Sequence, residues 1–439
     1  MRVLFTTFGS KSHVIAQVSL GWAARAAGHE VRVASHPDMA ESITRTGLTA
    51  VPVGHPLELD APVEYKSGDP AAAGGGESEE WAASGTADTA ARFAEWTTMS
   101  DPHAEAGGYD RLHGIFTAMA SQVFQTFNDA AMVDDLVSYA RWWRPDLVVW
   151  DPLTFGGAVA ARVSGAAHAR LLFGLDLVGR MRGSYLRVLA DREPALREDP
   201  MAEWLGDVLA RYGGEFTEDL VVGQWTVDPL PSSLAFATGL PRVALRYVPY
   251  NGPVQIPEWL RKPPQRPRIC VSFGMSLGEF PGRAQVPTAD LLAALADLDV
   301  EVVAALGGAD VDLAALPGNV RLVDYVPMDA LLPTCAAVVN HGGSGTFNTA
   351  MSHGVPQLII PDEIWDTVPK AEALERRGAG ICMRALDGAA DVRDRVGRIL
   401  GDPSYRVAAH ALREEVRAMP APRETVSALG SLVAGHPRA

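Results

Sequence analysis

The chain has 439 residues, 47% hydrophobic and 21% charged, which suits two ordinary cores in a water-soluble protein rather than one. Its formal net charge of −15 excludes a nucleic-acid partner, which needs basic surface to displace counterions, and obliges any anion site to supply positive potential locally. Three scattered cysteines, Cys270, Cys335 and Cys382, fit neither a metal site nor a disulfide framework. With no signal-peptide core and no run of membrane-spanning length, the expectation is a cytoplasmic protein.

In chain order, residues 3–7 read as a buried strand, 14–27 as a helix stopped by Gly28, and 30–34 as the next strand. This βαβ unit implies a parallel sheet. From Pro56 to Gly108 the apolar periodicity fades. The run Ala71-Ala72-Ala73-Gly74-Gly75-Gly76-Glu77-Ser78-Glu79-Glu80 reads as a mobile acidic excursion, either plain surface chain or a lid or docking surface. A second unit follows, with a strand at Leu147-Val148-Val149-Trp150 and a helix over 155–163. Pro249, Pro253, Pro257, Pro263, Pro264 and Pro267 then crowd a stretch that can form neither a continuous helix nor an interior strand. Beyond it the pattern restarts, with strands at 269–272, 301–305, 337–340 and 357–360 and a helix over 291–298. The division expected is 1–245, a linker 246–268, 269–420, and a C-terminal helix and tail 421–439. Strand C-termini of both halves should face a shared cleft.

The strongest local signal is His341-Gly342-Gly343-Ser344-Gly345-Thr346, between an apolar strand and a helix that Gly354 and Pro356 end. Glycines allow close approach of a ligand, and the free N–H groups of the helix favour a phosphate. A plain strand-to-helix turn with a capping serine is the alternative. No lysine follows in the Walker pattern, and no G-x-G-x-x-G follows the first strand, so phosphoryl transfer and a dinucleotide cofactor are not indicated.

Asp366, in Trp365-Asp366-Thr367, could accept from sugar hydroxyls at the cleft or cap the following helix. His13, in the first strand-to-helix loop, has the chemistry of a general base, or is a solvated helix-start residue. Asp151, after the 147–150 strand, could fix the tautomer of that histidine or begin the next helix. Phe116, Met119, Phe124 and Phe127 have the spacing of an acceptor-pocket lining or of ordinary helix core.

Together with Gly28-His29-Glu30-Val31 and the stretches 47–54, 143–150, 223–229 and 247–253, these residues resemble the actinomycete glycosyltransferases that decorate polyketide antibiotics of the macrolide and anthracycline types with deoxysugars. The likeness spans nearly the whole chain and is weakest over the excursion. It implies the α/β GT-B fold, two Rossmann-like parallel-sheet domains with an interdomain cleft. The acceptor would bind in 1–245 and a thymidine-diphosphate (TDP) deoxysugar in 269–420, with inversion at the anomeric carbon.

The resemblance makes His13 the general base and Asp151 its partner. It assigns His341, Gly343, Ser344 and Gly345 to the diphosphate, Val326 to the base, and Asp366 and Thr367 to the sugar. Gly9, Ser10 and Gly274 join the donor site. Thr367 stands where the wider superfamily often has Gln, as suits a sugar lacking hydroxyls. Neither metal nor cofactor is implied, since the TDP-sugar is a substrate. The expected partners are donor, polyketide aglycone, a helper protein resembling an inactive cytochrome P450, and a second copy of the chain. The excursion and the helices from 108 to 140 are the candidate helper surface. A sugar-nucleotide epimerase and a nucleotide-binding protein without transferase activity are the rival readings.

Overall fold

A computed structural model describes residues 1–57, 107–274, 288–306, 316–362, 364–384 and 388–436, so the excursion lies, for residues 58–106, outside the described residues. Seven strands form the first sheet: β1 (Arg2–Thr6), β2 (Glu30–Ser35), β3 (Thr49–Pro52), β4 (Leu147–Trp150), β5 (Ala167–Leu171), β6 (Trp225–Asp228) and β7 (Arg242–Ala244). Their order is β3-β2-β1-β4-β5-β6-β7. The second sheet holds β8 (Arg268–Ser272), β9 (Glu301–Ala305), β10 (Val320–Val323), β11 (Ala337–Asn340), β12 (Gln357–Ile359) and β13 (Gly380–Cys382), in the order β10-β9-β8-β11-β12-β13. All pairings are parallel.

Side-chain alternation divides each strand between two helical layers. Leu4, Val148 and Trp150 pack with the helices Ala130–Trp143 and Phe155–Ser164, while Val3, Phe5, Leu147 and Val149 pack with Lys11–Ala26. Strand order reverses between β1 and β4 in one sheet and between β8 and β11 in the other. Loops leave in opposite directions at such a point and open a crevice beyond the strand C-termini.

The first helix begins at Lys11, earlier than its apolar periodicity suggested. Ser10 is extended (φ −131°, ψ 142°) and no breaker follows it, so His13 sits in the first helical turn rather than in the loop. The helix Pro422–Ala434 returns to the first sheet, burying Val426 and Leu429 beside Val14 and Leu20. Leu175, Leu230 and Leu234 share one apolar cluster with Phe347, Met351, Leu374 and Leu412. Each such buried side chain contributes roughly 1.5–3 kcal/mol, so apolar packing joins the halves. Among the described residues no helix is long and apolar enough to cross a membrane.

Candidate active site

β1 and β4 are neighbours, with Thr6 opposite Trp150, and the residues after them meet. The Asp151 N–H donates to the Thr6 carbonyl at 3.0 Å, placing the carboxylate beside the start of the first helix. Its Oδ1 accepts from the Leu153 N–H at 2.9 Å, and its Oδ2 lies 2.6 Å from His13 Nδ1. Asp151 is 2% exposed. It does not cap the next helix, where Thr154 occupies the N-cap position. A carboxylate can only accept, so Nδ1 carries the proton, and in the neutral imidazole Nε2 has the lone pair. Phe8 and Phe173 meet the His13 ring edge-on, with centroids at 5.1 and 4.5 Å.

Nearby, a Cβ on Gly9 would lie 3.0 Å from both His36 Nδ1 and Leu57 Cδ2. The Ser10 hydroxyl pairs with that of Ser12 at 3.0 Å and does not cap the helix. Phe116, Met119 and Phe124 are core residues, whereas the Phe127 ring is 4.5 Å from Phe8.

In the second half, Asn340 ends β11 and its Oδ1 accepts the Gly342 N–H at 2.8 Å, while its amide donates to Gln357 at 3.0 Å. This bracing sets Gly342 at φ +91°, open to glycine at little cost. Gly343 holds the N-cap position of Ser344–His353 without a side-chain cap, so Ser344 is not the capping serine. The His341 ring folds over the turn. A Cβ on Gly343 would be 2.5 Å from its Nε2, and one on Gly274 2.8 Å from its Cε1. Gly345 is exposed with open space at its Cβ, so packing makes no demand for glycine there. Burial lowers the pKa of His341; Asp362 opposes the fall and the Lys370 ammonium adds to it. His341 Nδ1 is buried with no hydrogen-bond partner among the described residues.

Trp365 follows β12 with φ +50°, a strained conformation for a bulky side chain. Its buried ring lies 6.0 Å from that of Phe173. Asp366 occupies the N-cap position of Thr367–Arg376 but makes no cap bond. Its Oδ2 accepts the Leu175 N–H at 2.8 Å and its Oδ1 accepts from Lys370 Nζ at 2.9 Å. Both oxygens are thus engaged inside the protein. Thr367 Oγ1 donates to the Ile364 carbonyl at 2.9 Å. Val326 is buried beside Cys270 and Leu331, so its side chain is spent on packing.

The segment Phe173-Gly174-Leu175, after β5, touches His13 on one side and Trp365 and Asp366 on the other. It therefore brings the C-terminal ends of the two sheets together. Sequence reasoning missed Lys370. Its clues were the i,i+4 spacing from Asp366 and the need for local positive charge in an acidic chain.

Two family models match the chain: the Erythromycin biosynthesis protein CIII-like N-terminal domain over residues 22–74 and 82–274, and the corresponding C-terminal domain over 289–432. The chain is 49% identical to the aclacinomycin-T 2-deoxy-L-fucose transferase of Streptomyces galilaeus, covering 100% of this chain and 97% of that protein. It is 43% identical to the 10-deoxymethynolide desosaminyltransferase of Streptomyces venezuelae, covering 100% and 98%. Glycosyltransferase VinC, solved in complex with dTDP, superposes with a TM-score of 0.85 at 39% identity, over 99% of this chain and 100% of VinC. With two parallel sheets facing one another in the GT-B manner, the chain belongs to the Erythromycin biosynthesis protein CIII-like family of antibiotic deoxysugar glycosyltransferases.

Proposed function

We propose that this enzyme moves a deoxysugar from a thymidine-diphosphate donor to a hydroxyl of a polyketide aglycone, with inversion at the anomeric carbon. The observation that carries the reading is the 2.6 Å His13–Asp151 pair at one switch point, joined through Phe173–Leu175 to the loop beside the glycine turn. Relatives named for deoxyfucosyl and desosaminyl transfer, and a structural neighbour holding dTDP, support the choice of donor.

In this reaction His13 Nε2 takes the proton of the acceptor hydroxyl. The acceptor oxygen bonds to C1 of the sugar as the bond from C1 to the diphosphate oxygen breaks. Asp151 supports the imidazolium that forms. Negative charge grows on the diphosphate, where the N-terminus of Ser344–His353 provides preorganised stabilisation. His341, Gly343, Ser344 and Gly345 hold the diphosphate, with Gly9, Ser10 and Gly274 closing around it. The Val326 stretch holds the base by its backbone. Asp366 and Thr367 flank the sugar, the Asp366 oxygens accepting from its hydroxyls with the lone pairs that the Leu175 N–H and Lys370 leave free. The proposed step uses neither metal nor cofactor and takes place in the cytoplasm. The 1–245 region takes the acceptor, the 108–140 helices are the proposed surface for a P450-like helper, and a second copy of the chain is the other proposed partner.

His13→Ala tests the reading. General-base catalysis is worth on the order of 10²–10⁴-fold, so turnover should fall by that factor while TDP still binds by calorimetry. Turnover near the wild-type rate removes His13 from the base role.

A further inference from the structure

Lys370 belongs to none of the motifs above, yet it is 1% exposed and reaches the donor turn from beneath. Its ammonium donates to Asp366 Oδ1 at 2.9 Å and to Ser344 Oγ at 3.2 Å, and lies 5.1 Å from the centre of the Phe347 ring. A buried ammonium is costly unless paired, and Asp366 pairs it. The contact with Ser344 has a direction: an ammonium has only hydrogens to give, so Ser344 Oγ must accept. The hydroxyl hydrogen of Ser344 is thereby turned away from Lys370 and left to donate elsewhere. Ser344 is the first residue of the helix after the glycine turn, and the His341 ring at the same turn lies within electrostatic reach of the ammonium. Among the described residues His341 Nδ1 has no partner, which marks this as a place with hydrogen-bonding capacity they do not use.

We propose that Lys370 is a positioning residue for the diphosphate: it holds the Ser344 hydroxyl as an oriented, polarised donor to the leaving group. The inference rests on the reading of the turn as the diphosphate site. A donor that already accepts from a cation is strengthened by cooperativity and need not reorganise as charge develops. The arrangement also answers the constraint set by the acidic composition, since it builds positive potential into the site itself.

Calorimetry with TDP and with thymidine on the full chain tests this. Lys370→Met alone strands Asp366 as a buried unpaired carboxylate, so the charge-balanced pair Lys370→Met/Asp366→Asn is the informative variant. It should weaken TDP binding by about 10- to 100-fold, the range for a hydrogen bond to a charged group, while thymidine affinity stays within about twofold. In a Ser344→Ala background the pair should cost less than about threefold, because the route through Ser344 is already gone.

Equal losses for TDP and thymidine, an unchanged TDP affinity in the pair, or a full loss persisting without Ser344 would each overturn the proposal. A folded wild-type chain that fails to bind TDP removes the reading of the turn itself. Wild-type binding that the pair leaves intact removes only the role of Lys370.

Discussion

Asp151→Asn probes the proposed base through a single proton. The side chain keeps its volume but exchanges one acceptor oxygen for a donating NH₂. The Leu153 N–H, 2.9 Å from Oδ1, requires an acceptor there. The amide must then place its NH₂ where Oδ2 now sits, 2.6 Å from His13 Nδ1. Two donors cannot share that contact, so His13 moves its proton to Nε2 and can no longer accept one from the acceptor hydroxyl.

The opposite amide orientation restores the useful tautomer but sets NH₂ against the Leu153 N–H. That mismatch costs about 1–3 kcal/mol, and replacing a carboxylate by a neutral oxygen beneath the imidazolium costs about 1–2 kcal/mol more. At 1.36 kcal/mol per factor of ten, the sum is a loss of roughly 30- to 5,000-fold, and enforced wrong tautomers in serine hydrolase triads cost about 10⁴. The loss belongs in kcat, read as TDP release at saturating donor and acceptor. TDP affinity and melting temperature should be little changed. Asp151→Ala leaves both tautomers open and should be slowed less than Asp151→Asn. An Asn variant within tenfold of wild type, or one faster than the Ala variant, would refute the tautomer argument.

Gly174→Ala should slow turnover while TDP affinity holds within about threefold, since its Cβ would lie 2.0 Å from Asp366 Oδ2 and displace the Leu175 contact. That contact is worth about 1.5–3 kcal/mol, or roughly 10- to 150-fold; a kcat within twofold of wild type would show that the bridge is idle. Asp219→Asn should destabilise the protein in a pH-dependent way. Burial pushes the Asp219 carboxyl up, but the His168 hydrogen bond at 3.1 Å and neighbouring positive charge more than reverse this, leaving it well below the carboxylate range. A depressed folded pKa contributes stability above the unfolded value near ~4 and loses it as pH falls towards the folded one. The urea-midpoint deficit of the variant should therefore be constant from about pH 5.5 to 8 and shrink below about pH 4; a deficit that grows on acidification contradicts the assignment.

Most strands of the two sheets were legible because strands covered on both faces are continuous apolar runs, as Leu147–Trp150 and Ala337–Asn340 show. The glycine turn was legible because its punctuation is local. His13 and Asp151 were readable as candidates, and as a possible pair only because both follow strands whose ends should face one cleft, since 138 residues separate them and no spacing rule spans that distance. The family likeness joined them, and the sheet order supplies the physical reason: β1 and β4 are adjacent.

Asp366 shows where local reading ends. Capping and sugar binding were the two local possibilities, yet its Oδ2 answers a backbone N–H 191 residues away. Lys370 was harder still, because Lys four residues after Asp on a helix ordinarily means a solvated surface pair of small worth. The same spacing acquires different chemistry only when Phe347, Ser344 and the glycine turn close over it. On the proposed function, an acidic protein that binds a diphosphate has reason to bury its cation in this way. A surface lysine would share its field with the surrounding carboxylates and salt, whereas a buried one is screened far less and directs it at one turn.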